Sequence, residues 1–145
     1  MLKNILKIFA DDNISQLEPD DARLAITALM IRVARSDDDY SKAELNNITS
    51  LISARFKLSN DEANELIKEA ELVEEQAPDT VRFTKSIKSA IDFDDRIAII
   101  EDLWSVVLTD SFRDTNEDAL IRTVVSLLGV SDKDSAFARQ RAIKK

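Results

Sequence analysis

The chain contains no cysteine and no histidine in 145 residues. Their absence excludes disulfide staples, thiolate nucleophiles, imidazole bases and the usual zinc ligand sets. Glycine occurs once, at Gly129, and proline twice, at Pro19 and Pro78. With so few residues able to form tight turns, β-hairpins are poorly served, and a glycine-rich phosphate loop is excluded. No apolar run approaches the roughly 20 residues needed to span a bilayer, so no direct membrane insertion is expected. The opening MLKNILKIFADD turns polar too early for a signal peptide. We expect a cytoplasmic protein.

What remains is apolar and helix-forming. Hydrophobic residues make up 44% of the chain. Its length is that of one domain and suffices to bury a core without covalent staples. The composition predicts an all-α single-domain bundle over residues 1–145. Net charge is −8. Residues 1–78 hold 9 basic and 16 acidic residues, and residues 79–145 hold 11 and 12. An acidic surface repels a phosphate backbone, so nucleic acid is not an expected partner. Arg139, Arg141, Lys144 and Lys145 read as a helix C-terminus complementing its dipole.

Apolar periodicity and cap signals divide the chain into about eight helices. The first carries Leu2, Ile5, Leu6 and Phe9. A second opens at Pro19 and runs through Leu24, Ala28 and Ile31 to Ser36. Ser41-x-x-Glu44 and Ser59-x-x-Glu62 are capping boxes that open the next two. Pro78 stops the fourth, and Asp79 or Thr80 caps the fifth. The sixth carries Ile97, Ile100, Leu103, Trp104 and Val107. Asp114-x-x-Glu117 opens the seventh, which Gly129 ends in the left-handed conformation. Ser131 caps the last, with Ala136, Phe137 and Ile143 as its apolar set. The acids between Glu69 and Glu75 read as a solvated helix face.

Leu29 to Ser59 returns in degraded form as Leu103 to Ser131. Laying Asp37 on Asp110 lays Glu44 on Glu117. It also sets Met30, Val33 and Ala34 on Leu103, Val106 and Val107, and Ile48, Leu51 and Ile52 on Ile121, Val124 and Val125. Both copies then close on an apolar residue and a serine, Leu58-Ser59 and Val130-Ser131. This predicts an internal pseudo-twofold repeat, with halves at about 20–76 and 79–143.

Each copy has an acidic loop between two helices. Glu44 and Glu117, Ser41 and Asp114 are accounted for as caps. Asp37 and Asp110 are not, because a carboxylate at a helix C-terminus faces the negative end of the dipole. If the copies pack about a twofold axis, Asp37, Asp39 and Glu44 come near Asp110, Asp114 and Glu117. Oxygen ligands alone would select a hard cation, Ca²⁺ or Mg²⁺. The competing reading is paired caps on a solvated acidic face. The loops are not EF-hands: counting from Asp37, Lys42 and Ile48 replace the required glycine and glutamate, as Thr115 and Ile121 do when counting from Asp110.

The stretches ARSDDDYSKAELNNI, FKLSNDEANELI and VLTDSFRDTNEDALIRTVVSLLGVS resemble the TerB-like tellurite-resistance family, to which the N-terminal domain of the membrane-anchored co-chaperone DjlA is also similar. The resemblance runs from Ala22 to Arg139. The family pattern has alanine before and glycine after each aspartate; here those places hold Ser36 and Asp38, and Thr109 and Ser111. The resemblance implies a helical bundle with pseudo-twofold halves and a divalent-metal role for Asp37, Glu44, Asp110 and Glu117. It further implies stress and tellurite resistance and membrane-associated protein partners, not catalysis. We therefore expect a non-enzymatic interaction domain. A metal-independent adaptor bundle and a carboxylate-metal hydrolase are the alternatives.

Overall fold

The structure, a computed structural model, describes residues 19–35, 42–76, 80–108 and 115–144. Among these residues it is all-α, with seven helices and no strand. They are α1 (Pro19–Ala34), α2 (Lys42–Phe56), α3 (Asn60–Gln76), α4 (Thr80–Ala90), α5 (Phe93–Val107), α6 (Thr115–Leu127) and α7 (Asp132–Lys144). Each matches a helix expected from the sequence. The remaining one, expected at Leu2–Phe9, lies outside the described residues.

Two helices form the centre. From Ala22 to Ala34, α1 is buried at every position except Arg23 and Arg32. A helix apolar on nearly all sides has to be surrounded, and α1 packs against α2, α3, α4, α5 and α6. Thr27 is fully buried, and its hydroxyl donates to the Arg23 carbonyl one turn back at 2.8 Å. In α5, Ile99, Ile100, Leu103, Val106 and Val107 are buried. Asp94 and Asp95 sit at its positive end. It packs against α1, α2, α4, α6 and α7.

The pairings recur along the chain. The tightest packing in residues 19–76 is α1 on α3, and in residues 93–144 it is α5 on α7. α2 reaches across to α5, and α6 reaches across to α1. α4 lies against α1 and α6, contributing Phe83 and Ile87 to the core.

The helix stops are built alike. Lys57 and Gly129 take positive φ, 56° and 74°. The next amide returns five residues, Leu58 to Ser53 at 3.0 Å and Val130 to Val125 at 3.1 Å. The Arg96 guanidinium also caps the end of α6, donating to the Leu128 carbonyl at 2.8 Å. The capping box opening α3 is complete: the Ser59 hydroxyl accepts from the Glu62 amide at 3.2 Å, and the Glu62 carboxylate accepts from the Ser59 amide at 2.9 Å. At α7 only the serine half forms, with the Asp134 amide donating to Ser131 Oγ at 3.1 Å. Asp134 is one methylene shorter than the glutamate of a box.

The last helix corrects the sequence reading. Ala136, Phe137 and Ile143 were the expected apolar face, yet all three are exposed, Phe137 at 47% and Ile143 at 56%. The buried residues are Ser135, Ala138 and Ala142. Small side chains let α7 lie close to α5, where the Trp104 indole meets Ser135.

Candidate functional site

Four of the six acidic candidates, Asp37, Asp39, Asp110 and Asp114, lie outside the described residues. Glu117 falls in the first turn of α6, with its side chain outside the description. Glu44 is described and is 1% exposed in the first turn of α2. A carboxylate removed from water costs several kcal/mol unless it is engaged, and Glu44 is engaged within the chain. The positive end of α2 also favours it.

The elements flanking the two loops meet. Asn47, one turn beyond Glu44, donates from Nδ2 to the Ser105 carbonyl of α5 at 3.0 Å. Ser105 lies in the last turns of the helix that leads into the second acidic stretch. The head of α2 is thereby tied to the tail of α5. A second tie runs between the same helices: the Arg55 guanidinium pairs with Asp102, which is 2% exposed, and Arg55 also reaches the Ala98 carbonyl at 3.4 Å. The hydrogen bond to Asp102 raises the Arg55 pKa above its ordinary value, with Glu101 and Asp95 adding to the effect.

The other charges divide by region. Glu74, expected on a solvated face, instead turns toward α1. It accepts from Arg32 at 3.1 Å and pairs with Arg35 at 3.2 Å. Arg32 also lies over the Phe83 ring, 5.1 Å from its centroid. Two of the C-terminal basic residues have tertiary roles beyond the helix dipole. Arg141 pairs with Glu101 at 2.6 Å, and Arg139 lies over the Trp104 ring at 5.6 Å.

Trp104 and Arg139 line a cleft of about 480 Å³ with Arg122, Val125, Asp132, Ser135 and Ala136. The Trp104 indole N–H donates to Ser135 Oγ at 3.0 Å, in a buried hydrogen bond. Arg139 Nε is buried without a hydrogen-bond partner among the described residues. Such a donor costs roughly 1–3 kcal/mol. Read alone, Trp104 is a core aromatic, and the C-terminal arginines complement a dipole. The available signal was a comparison of the copies. Laying Ser59 on Ser131 sets Ser135 against Ala63 and Arg139 against Ile67, both buried.

No helix among the described residues is long and apolar enough to cross a membrane. Residues 23–140 match the family described as tellurite resistance protein TerB. No curated protein and no solved structure matches the chain.

Proposed function

The chain belongs to the TerB tellurite-resistance family, a match running from the first turns of α1 into α7, and from that membership we propose a non-enzymatic interaction domain. It serves a stress-resistance role and holds a divalent cation where its two acidic loops converge. Its partner is a protein, one that can itself be membrane-associated. The observation carrying this reading is the Asn47–Ser105 hydrogen bond at 3.0 Å beside the buried Glu44. It supports convergence because it fixes the helix leaving the first loop against the helix entering the second. The donor set is oxygen-only, Asp37, Asp39, Glu44, Asp110, Asp114 and Glu117, and suits Ca²⁺ or Mg²⁺. Thiol and imidazole are absent from the whole chain, which supports a non-catalytic role.

Thermal unfolding of chelator-treated protein tests the proposal. An ion at 100 times its Kd adds about 2.7 kcal/mol. At roughly 4 °C per kcal/mol the midpoint should rise on the order of 10 °C. Asp37→Asn with Asp110→Asn should abolish the rise while helicity is kept. No rise with either ion would leave the metal-independent adaptor as the reading.

A further inference from the structure

We propose that the cleft between α5, α6 and α7 binds a small organic oxyanion, a phosphomonoester or a carboxylate. It uses none of the residues assigned to the cation. Arg122 and Arg139 both line it, and neither has an ion-pair partner among the described residues. Asp132 is the one carboxylate in the lining. In a chain of net charge −8 this is a local excess of positive charge. Guanidinium groups match the spacing of carboxylate and phosphate oxygens, and a second arginine sets orientation as well as attraction.

Three further features favour a ligand over loose packing. Arg139 is held over the Trp104 ring at 5.6 Å, so its planar group is pre-positioned. Ser135 Oγ accepts from the Trp104 indole at 3.0 Å, which leaves its own proton to donate. The buried Arg139 Nε has no acceptor among the described residues. At about 480 Å³ the cleft falls in the size range of small-molecule sites and exceeds a bare phosphate, so an organic body is expected on the anion. The matching positions in the first copy, Ile31, Ala63 and Ile67, are apolar and buried, so this packing can be closed without polar groups.

Trp104 is the only tryptophan, so its indole N–H resonance and its emission report on this cleft alone. The full chain would be titrated at constant ionic strength with glycerol phosphate, inorganic phosphate and succinate, with chloride as control. A saturable indole shift in the millimolar range or tighter is expected from glycerol phosphate or succinate, and the tighter of the two identifies the anion. Inorganic phosphate should bind more weakly than the preferred organic anion. Arg122→Gln, on the exposed rim, should weaken binding roughly tenfold with the melting temperature unchanged. Arg139→Gln should weaken it at least as much, and Asp132→Asn should tighten it. The proposal is overturned if no probe gives a saturable shift, or if Arg122→Gln with Arg139→Gln responds like the wild type.

Discussion

The two copies of the helical unit treat charge in opposite ways. Around α1 and α3 the arginines Arg32 and Arg35 both end on Glu74. The positions facing inward there, Ile31, Ala63 and Ile67, are apolar and shut. Around α5 and α7 the same positions are Trp104, Ser135 and Arg139, and a cleft opens with two arginines on its walls. The inversion runs the other way where α2 crosses α5 and where α6 crosses α1. In the register that lays Ile52 on Val125, Leu29 and Leu128 occupy the places of Asp102 and Arg55. Both leucines are fully buried, whereas the other crossing is an ion pair. Similar helix pairings thus accept either chemistry at a crossing, apolar or charged.

The largest test moves the second copy's chemistry into the first. Ile67→Arg places a charge without a partner in a closed packing, and should cost roughly 3–5 kcal/mol by urea unfolding. The reverse change, Arg139→Ile, removes an unsatisfied buried donor and should raise stability by about 1 kcal/mol. If both arginines prove equally tolerated, the contrast between open and closed copies fails.

The ion pair offers the next effect. Arg55→Ala strands Asp102, whose side chain is 3% exposed. The Arg55 side chain is itself 29% exposed and partly screened, so a loss of about 3 kcal/mol is expected, at the low end for buried pairs. Replacing both residues with leucine, as at the matching crossing, should restore stability to within about 1 kcal/mol of the wild type or better. A double variant as unstable as Arg55→Ala would show that the pair specifies the packing of α2 on α5.

A smaller effect is expected at Ser135. Ser135→Ala removes the acceptor of the buried Trp104 indole and should cost about 1–2 kcal/mol, whereas Ser135→Thr should not. An alanine variant as stable as the wild type would mean that water replaces the hydroxyl.

The smallest effect depends on pH and separates the two serine caps. The Ser59 amide, and then its hydroxyl, hold the Glu62 carboxyl below its ordinary pKa. A carboxyl lowered by folding stabilises above its unfolded pKa, and that contribution is lost as pH falls through the folded value. The difference in melting temperature between wild type and Glu62→Gln should therefore be present at neutral pH and vanish in acid. A difference independent of pH would place the effect in packing.

Much of this was legible one residue at a time. Pro19 and Gly129 act through their own backbone geometry and Ser59 through its hydroxyl, and α1, α3 and the stop of α6 fall where those residues put them. Glu44 falls in the first turn of α2, where the Ser41-x-x-Glu44 spacing put it, and is buried there. The inward face of α7 was not legible. Phe137 and Ile143 are the more hydrophobic choice, but α7 turns Ser135, Ala138 and Ala142 inward, with Ser135 against the Trp104 indole. Hydrophobic periodicity scores one helix at a time and carries no information about the volume opposite.

By itself, then, the sequence determined an all-α chain and the order of its seven described helices. Those follow from dihedral preference, cap chemistry and apolar period, which act over a few residues. Only the tertiary structure decided that Asn47 meets Ser105, that Arg55 meets Asp102, that Glu74 gathers two arginines, and that a polar cleft opens beside Trp104. Those pairings join residues far apart in the chain, and their energies exist only once the helices have packed.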